Sequence, residues 1–164
     1  MQMIDDISKV IIRKIEYGEI DKLVYHRINY LVEMQGDKSD EYIETLKSEL
    51  ISFFQKSLID KSFWGLVALY EGQEVAYAGM IVSQIPGDFN RATYTEGAIL
   101  NVYTIPSARR QGISMLILKK LLIESKLMGI TKVSLHSSDA GKALYQSLGF
   151  KTPTYPYLEL SIGD

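Results

Sequence analysis

A mixed α/β domain built around one sheet is the fold class this sequence predicts. Three observations carry it. Short apolar runs rich in β-branched residues alternate with stretches whose apolar residues recur every three or four positions. Glycine and proline fall at the junctions between them. The chain of 164 residues is 46% hydrophobic and 23% charged, long and apolar enough to build a core without disulfide staples.

Residues Val10 to Ile15 (VIIRKI) read as a first strand. Ile20, Leu23, Val24, Ile28, Leu31 and Val32 then follow helix periodicity, and Gly36 is a stop signal. A second helix starts after a cap at Ser39 or Asp40. Its expected core stripe is Tyr42, Ile43, Leu46, Leu50, Phe53 and Phe54. Phe63 to Tyr70 and Glu74 to Val82 are continuous apolar runs joined by Glu71-Gly72-Gln73, which predicts a hairpin. Ile85 to Arg91 reads as a loop, and Thr93 to Thr104 as the next strand, with Gly97 as a bulge or bend. Pro106 ends it. Gly112 to Met128 is the strongest helix, closed by Gly129. Lys132 to His136 is a short strand, and Asp139 to Leu148 a short helix closed by Gly149. Phe150 and Tyr157 to Ile162 read as closing strands. The prediction is six to seven strands and four helices in one domain spanning 1–164.

Composition removes several function classes. There is no cysteine, which excludes disulfides, thiolate metal sites and cysteine nucleophiles. The two histidines, His26 and His136, cannot form a histidine-rich metal site, so no metal is expected. Eighteen basic against 20 acidic residues give a net charge of −2, and no basic stripe calls for nucleic acid. Arg109, Arg110, Lys119 and Lys120 are the only cluster that could argue otherwise. No apolar run reaches about 18 residues, so no membrane span is expected. The start lacks a basic stretch followed by an apolar one, so the expected location is the cytoplasm.

One segment carries chemistry. From Asn101 to Ser114 a strand ends, a turn holds Arg109 and Arg110, and a long helix opens at Gly112. The first N–H groups of a helix lack intrahelical acceptors and carry the positive end of its dipole. A glycine there lets a phosphate approach the backbone, and Ser114 adds a hydroxyl. Neither a Gly-Lys-Ser/Thr ending nor a G-x-G-x-x-G fingerprint is present. On residue chemistry alone, an anion site and an ordinary connection with two solvated arginines both fit.

The run Arg109-x-x-Gly112-x-Ser114 resembles the acyl-CoA pyrophosphate signature of the GNAT superfamily of N-acetyltransferases, written Gln/Arg-x-x-Gly-x-Gly/Ala. Ser114 departs from it but is still small. Leu144-Tyr145-Gln146-Ser147-Leu148-Gly149-Phe150 resembles the closing motif of that family, and the element order agrees. The resemblance is strongest from Ala98 to Phe150. It implies a mostly antiparallel mixed sheet, acetyl-CoA as co-substrate and a primary-amine acceptor. The backbone of Val102, Tyr103 and Thr104 would pair with the pantetheine arm, in a slot where two strands splay apart. The N–H groups of Arg110, Gln111, Gly112, Ile113, Ser114 and Met115 would hold the pyrophosphate, with Arg109 and Arg110 adding attraction. Ser138 stands where relatives often place a cofactor-touching asparagine. Tyr145 matches the general acid.

An amine attacks a thioester only when neutral, and a lysine-type amine has a pKa of ~10.4. Glu96, on the strand before the cofactor segment, is the expected base, directly or through water. Asn101 and Tyr103 share a strand face and would orient the acceptor. His26 would line the acceptor mouth, whereas His136 reads as a buried structural imidazole. Glu33, Asp37, Asp40, Glu41, Glu44 and Asp88 lie in the segments that shape the acceptor pocket in this family. They suit either a cationic amine or a solvated helix face. The competing reading is a catalytically silent CoA-binding module, which would not need Tyr145. Any self-association is expected to be a homodimer.

Overall fold

The computed structural model describes residues 4–155 and 157–163. The elements are β1 (Ile11–Lys14), α1 (Ile20–Gln35), α2 (Asp40–Ile59), β2 (Phe63–Tyr70), β3 (Gln73–Pro86), β4 (Thr93–Thr104), α3 (Ile113–Leu127), β5 (Lys132–Leu135) and α4 (Asp139–Ser147). Three-residue 3-10 turns at Ile7–Lys9, Tyr17–Glu19 and Pro106–Ala108 bridge the gaps. The sheet order is β1-β2-β3-β4-β5. Every pairing is antiparallel except β4 with β5. The α+β architecture is therefore the expected one.

Strand alternation gives the sheet two apolar faces. On one, Leu66, Ala68, Ala76, Ala78, Met80 and Ile99 pack against Ile113, Ile117, Leu118 and Leu121 of α3. On the other, Phe63, Val67 and Tyr77 meet Leu23 and Val24 of α1 and Phe54 of α2. The central strands β2 and β3 are buried on both sides, which is why they read as continuous apolar runs.

Three expectations are corrected. Five strands form, not six to seven. Phe150 closes a turn, its N–H donating to Tyr145 O (3.1 Å), and Tyr157 to Ile162 form no strand. Leu158, Leu160 and Ile162 are exposed there. β-propensity stabilises a segment only through a partner strand, and β5 makes its ladder with β4 alone. In α2, Tyr42 and Phe53 are exposed, and the inward stripe runs through Leu50, Ile51, Phe54 and Ser57. In β4 the bulge is not at Gly97. That glycine is needed because a Cβ there would collide with the Met80 sulfur. In addition, β3 extends to Pro86 rather than stopping at Val82, so the loop shrinks to a turn closed by Asp88.

Glu19 fastens α1 to β1. Its carboxylate takes both Arg13 Nη atoms (2.7 Å each), Lys22 Nζ (3.1 Å) and the Glu16 N–H (3.1 Å). No helix among the described residues is long and apolar enough to cross a membrane.

Two outcomes test this packing. Leu118 is fully buried, so Leu118→Ala should cost about 2–5 kcal/mol in urea unfolding. Arg13 above all lowers the Glu19 carboxyl from 4.5 to about 2. Its contribution is fully present above about pH 4.5 and lost as pH falls through about 2. Wild-type stability should therefore fall more steeply than that of Glu19→Gln over this window, by about 1–2 kcal/mol after solvent screening. Parallel pH profiles would refute the assignment.

Candidate active site

The site forms where β4 loses a partner. β5 pairs with β4 only from Glu96↔Lys132 to Ile99↔Leu135. Beyond Ile99 the β5-facing edge of β4 is open. At the same point the register with β3 shifts, because Gly79 faces Asn101 while Met80 faces Ile99. Leu100 is the extra residue, a β-bulge, and a bulge bends its strand. Leu100 and Asn101 both end on the α1 face, whereas Val102 packs with the α3 core. Asn101 and Tyr103 do share a face, as expected.

The β4–α3 loop follows the open edge. Arg110 and Gly112 have positive φ of 60° and 82°. For arginine this costs about 1–2 kcal/mol, while glycine adopts it freely. Among the described residues, no acceptor takes the N–H groups of Arg110, Gln111, Gly112, Ile113, Ser114 or Met115; the next, Leu116 N–H, bonds to Gly112 O (3.1 Å). These six consecutive donors, without an acceptor among the described residues, stand at a helix start beside two left-handed residues.

The two arginines differ in role. Arg109 Nε donates to Thr104 O (2.8 Å), its Nη2 pairs with Glu33, and its guanidinium lies 5.7 Å from the Tyr103 ring centre. It clamps the end of β4 to α1. The Ile105 N–H faces Val75 O across the sheet, so in that trans peptide the Thr104 carbonyl points to the open edge, where Arg109 already occupies it. Arg110 is exposed and makes no ion pair among the described residues. The Ser114 hydroxyl bonds to Thr104 Oγ1 (2.9 Å), tying α3 to β4. Gln111 accepts from Ile4 N–H (3.0 Å) and donates to Ser107 O (3.1 Å), bracing the loop.

Ser138 caps α4, accepting from the Gly141 N–H (3.3 Å). Tyr145 is half-buried on α4 against Phe150. Burial pushes its phenol above the ordinary tyrosine range, with Tyr30 adding to the shift. Its hydroxyl bonds to no described residue. Glu96 lies on the α1 face and is held by Lys132 Nζ (2.7 Å).

The histidine expectations are both reversed. His26 is buried rather than lining a mouth, because Glu74 Oε2 lies 2.8 Å from its Nε2 and the Tyr77 ring stacks on it at 5.5 Å. Burial opposes ionisation of Glu74, yet Lys22 and His26 hold its carboxyl below the usual range. His136 is exposed, edge-on to Tyr157. The acids do not converge either. Glu33 is taken by Arg109, Glu44 by Lys47, and Asp88 by its own turn and Tyr94.

Sequence reasoning missed Arg27, Tyr30 and Tyr77. Arg27 reads as one more solvated helix charge, and Tyr77 as core. Only their shared position over β4 distinguishes them. A groove of about 240 Å3 between α1 and α2, lined by Val24, Tyr25, Ile28 and Ile51 among others, contains none of the predicted site residues.

An open strand edge thus lies beside a donor-lined loop at the start of α3. Residues 60–152 match the family model described as an acetyltransferase (GNAT) domain, and the chain belongs to the GNAT N-acetyltransferase family. An acetyltransferase of Clostridium acetobutylicum, solved with acetyl-CoA, shares 28% identity at a TM-score of 0.80, covering 93% of this chain and 96% of that one. A GCN5-related N-acetyltransferase from Ralstonia eutropha JMP134 shares the fold at 22% identity and a TM-score of 0.75, over 92% and 98%. An aminoglycoside acetyltransferase from an uncultured soil sample does so at 16% identity and 0.71, over 94% and 99%. No curated protein sequence matches the chain.

The arginines can be separated experimentally. Arg110→Ala should weaken acetyl-CoA binding roughly 2- to 5-fold, with a flatter salt dependence in calorimetry. Arg109→Gln should instead lower stability by about 1 kcal/mol and be non-additive with Glu33→Gln. Equal effects of the two substitutions on both readouts would refute the division.

Proposed function

We propose that this protein transfers the acetyl group of acetyl-CoA directly to a primary amine of a small molecule or peptide. The observation that carries the reading is the row of six N–H groups from Arg110 to Met115 that have no acceptor among the described residues, beside the edge of β4 that β5 leaves. That row suits the pyrophosphate, with the exposed Arg110 adding charge. Along the open edge the outward backbone groups are those of Val102 and Thr104, since Tyr103 is turned to Tyr77 of β3; Val102 offers its groups to the pantetheine arm, while Thr104 contributes less because Arg109 holds its carbonyl. Ser138 stands at the start of α4, on the far side of the same opening. Bound acetyl-CoA supplies an activated thioester carbonyl.

The chain's own residues manage two protons. Tyr145 keeps its phenolic proton at neutral pH, since burial raises its pKa. Its unpartnered hydroxyl is free to give that proton to the departing thiolate. Glu96, whose carboxylate Lys132 Nζ holds at 2.7 Å, takes the amine proton through water. With no cysteine, no acetyl-thiol enzyme species can form, and direct transfer is the simplest route.

Thiol release from acetyl-CoA can be followed without background from the protein, which has no thiol. Turnover with a panel of amines is expected. Tyr145→Phe should lower kcat about 10- to 100-fold and leave the KM for acetyl-CoA near wild type; a wild-type kcat would remove Tyr145 as the acid. Gly112→Glu should abolish acetyl-CoA binding through bulk, a disfavoured positive φ and charge. Unchanged affinity in calorimetry would remove the pyrophosphate assignment. A protein that binds acetyl-CoA but acetylates nothing is a silent module instead.

A further inference from the structure

Arg27 projects from α1 over the bulge in β4, half-buried and with no carboxylate within ion-pair distance among the described residues. A guanidinium has five N–H donors. Here one makes a long hydrogen bond, Nη1 to Asn101 Oδ1 at 3.3 Å, and the group lies 5.6 Å from the Tyr30 ring centre. Two further polar atoms beside it are buried without a partner: Asn101 Nδ2 and the Tyr77 hydroxyl. Gly79 explains their proximity. It is the cross-strand neighbour of Asn101, and the Tyr77 hydroxyl occupies the space its missing Cβ leaves.

This is an excess of donors. A cation partly removed from water, an amide NH2 and a hydroxyl converge with Asn101 Oδ1 and the Tyr77 oxygen as their acceptors, fewer than the donors present, and such groups are costly to leave unpaired. The ligand that completes them is an anion, and a planar carboxylate fits the fork of a guanidinium. The position is equally specific. Asn101 follows the bulged Leu100, where β4 parts from β5, and Tyr30, which Arg27 overlies, is near enough to Tyr145 to raise its phenol. Of the three groups Arg27 is the one with exposed surface, while Asn101 Nδ2 and the Tyr77 hydroxyl lie buried behind it.

We propose that Arg27, positioned by Asn101 and Tyr77 beneath it, is the carboxylate-binding group of the acceptor site, so that the acceptor is an amine bearing a nearby carboxylate, as in an amino acid. This rests on the acetyl-transfer reading above. The acids that suit either a cationic amine or a solvated helix face are engaged elsewhere or exposed, which agrees with it.

The test measures thiol release by the full chain at saturating acetyl-CoA. Acceptors are L-leucine, L-phenylalanine and L-lysine, each against its carboxamide, with spermidine as a carboxylate-free amine. The carboxamide has the less basic α-amine, because no adjacent negative charge stabilises the ammonium form. Amine basicity thus favours the amide, and a preference for the acid reports the carboxylate. At least one acid should exceed its amide in kcat/KM by about 10-fold or more. In Arg27→Met that ratio should collapse through a raised KM for the acid, and Arg27→Lys, which keeps charge but not the fork, should fall between. The Tm of unliganded Arg27→Met should stay level or rise, since an unpaired charge is removed.

Amides turned over as well as acids, or spermidine acetylated while no amino acid is, would overturn the subsite and leave the transfer reading standing. A lower Tm with equal losses on acids and amides would make Arg27 purely structural and overturn it too. Acetyl-CoA binding in calorimetry with no thiol release from any acceptor would overturn the transfer reading and this one with it.

Discussion

The bulge at Leu100 is the constraint on which the rest of the site depends. One extra residue in β4 coincides with the last rung of the β4–β5 ladder. A bulged strand bends, and a parallel neighbour cannot follow it. The edge left open beyond Ile99 gives the slot. The same residue places Asn101 on the α1 face, opposite Gly79, and sends Val102 to the α3 core. Without the bulge the alternation of the last β4 residues would invert, and the polar groups would be buried under α3.

The two cores hold this arrangement from both sides. The α3 face is a tight apolar layer of small residues, Ala68, Ala76 and Ala78, under Ile117, Leu118 and Leu121. That closeness fixes where α3 begins, and hence where its free N–H groups stand. The α1 face is less apolar. It carries His26, Arg27, Tyr77 and Asn101 as well as its aliphatic residues, whereas the buried polar groups on the α3 side are the hydroxyls of Thr104 and Ser125. Arg109 spans the gap between the halves of the site, since it holds both the end of β4 and Glu33 of α1. A residue of the phosphate motif thereby positions the helix over the acceptor crevice.

The elements were legible in the sequence because their causes are local. Periodicity located α1, α2 and α3, glycines marked their ends, and apolar runs located β2, β3 and the body of β4. The phosphate loop was legible for the same reason, as Arg109, Gly112 and Ser114 lie within one turn of chain. Partners distant in sequence were not. Glu96 reads as an isolated strand carboxylate until β5 brings Lys132 beside it. His26 reads as a mouth residue until β3 supplies Glu74 and Tyr77. Tyr157 to Ile162 has strand composition but forms no ladder.

By itself, then, the sequence determined the α/β class, the long helix that opens at Gly112, and the tyrosine motif that closes the family pattern. It also excluded thiol chemistry outright. Only the tertiary structure decided which charges are free. Arg109 and Arg110 are adjacent and chemically identical, yet one is clamped and the other open. Arg27 and Glu33 sit on one helix, yet the carboxylate has its counterion and the guanidinium has none among the described residues. The physical reason is that a charge's role is set by the counter-groups that folding brings within a few ångströms, and those come from strands and helices far away along the chain.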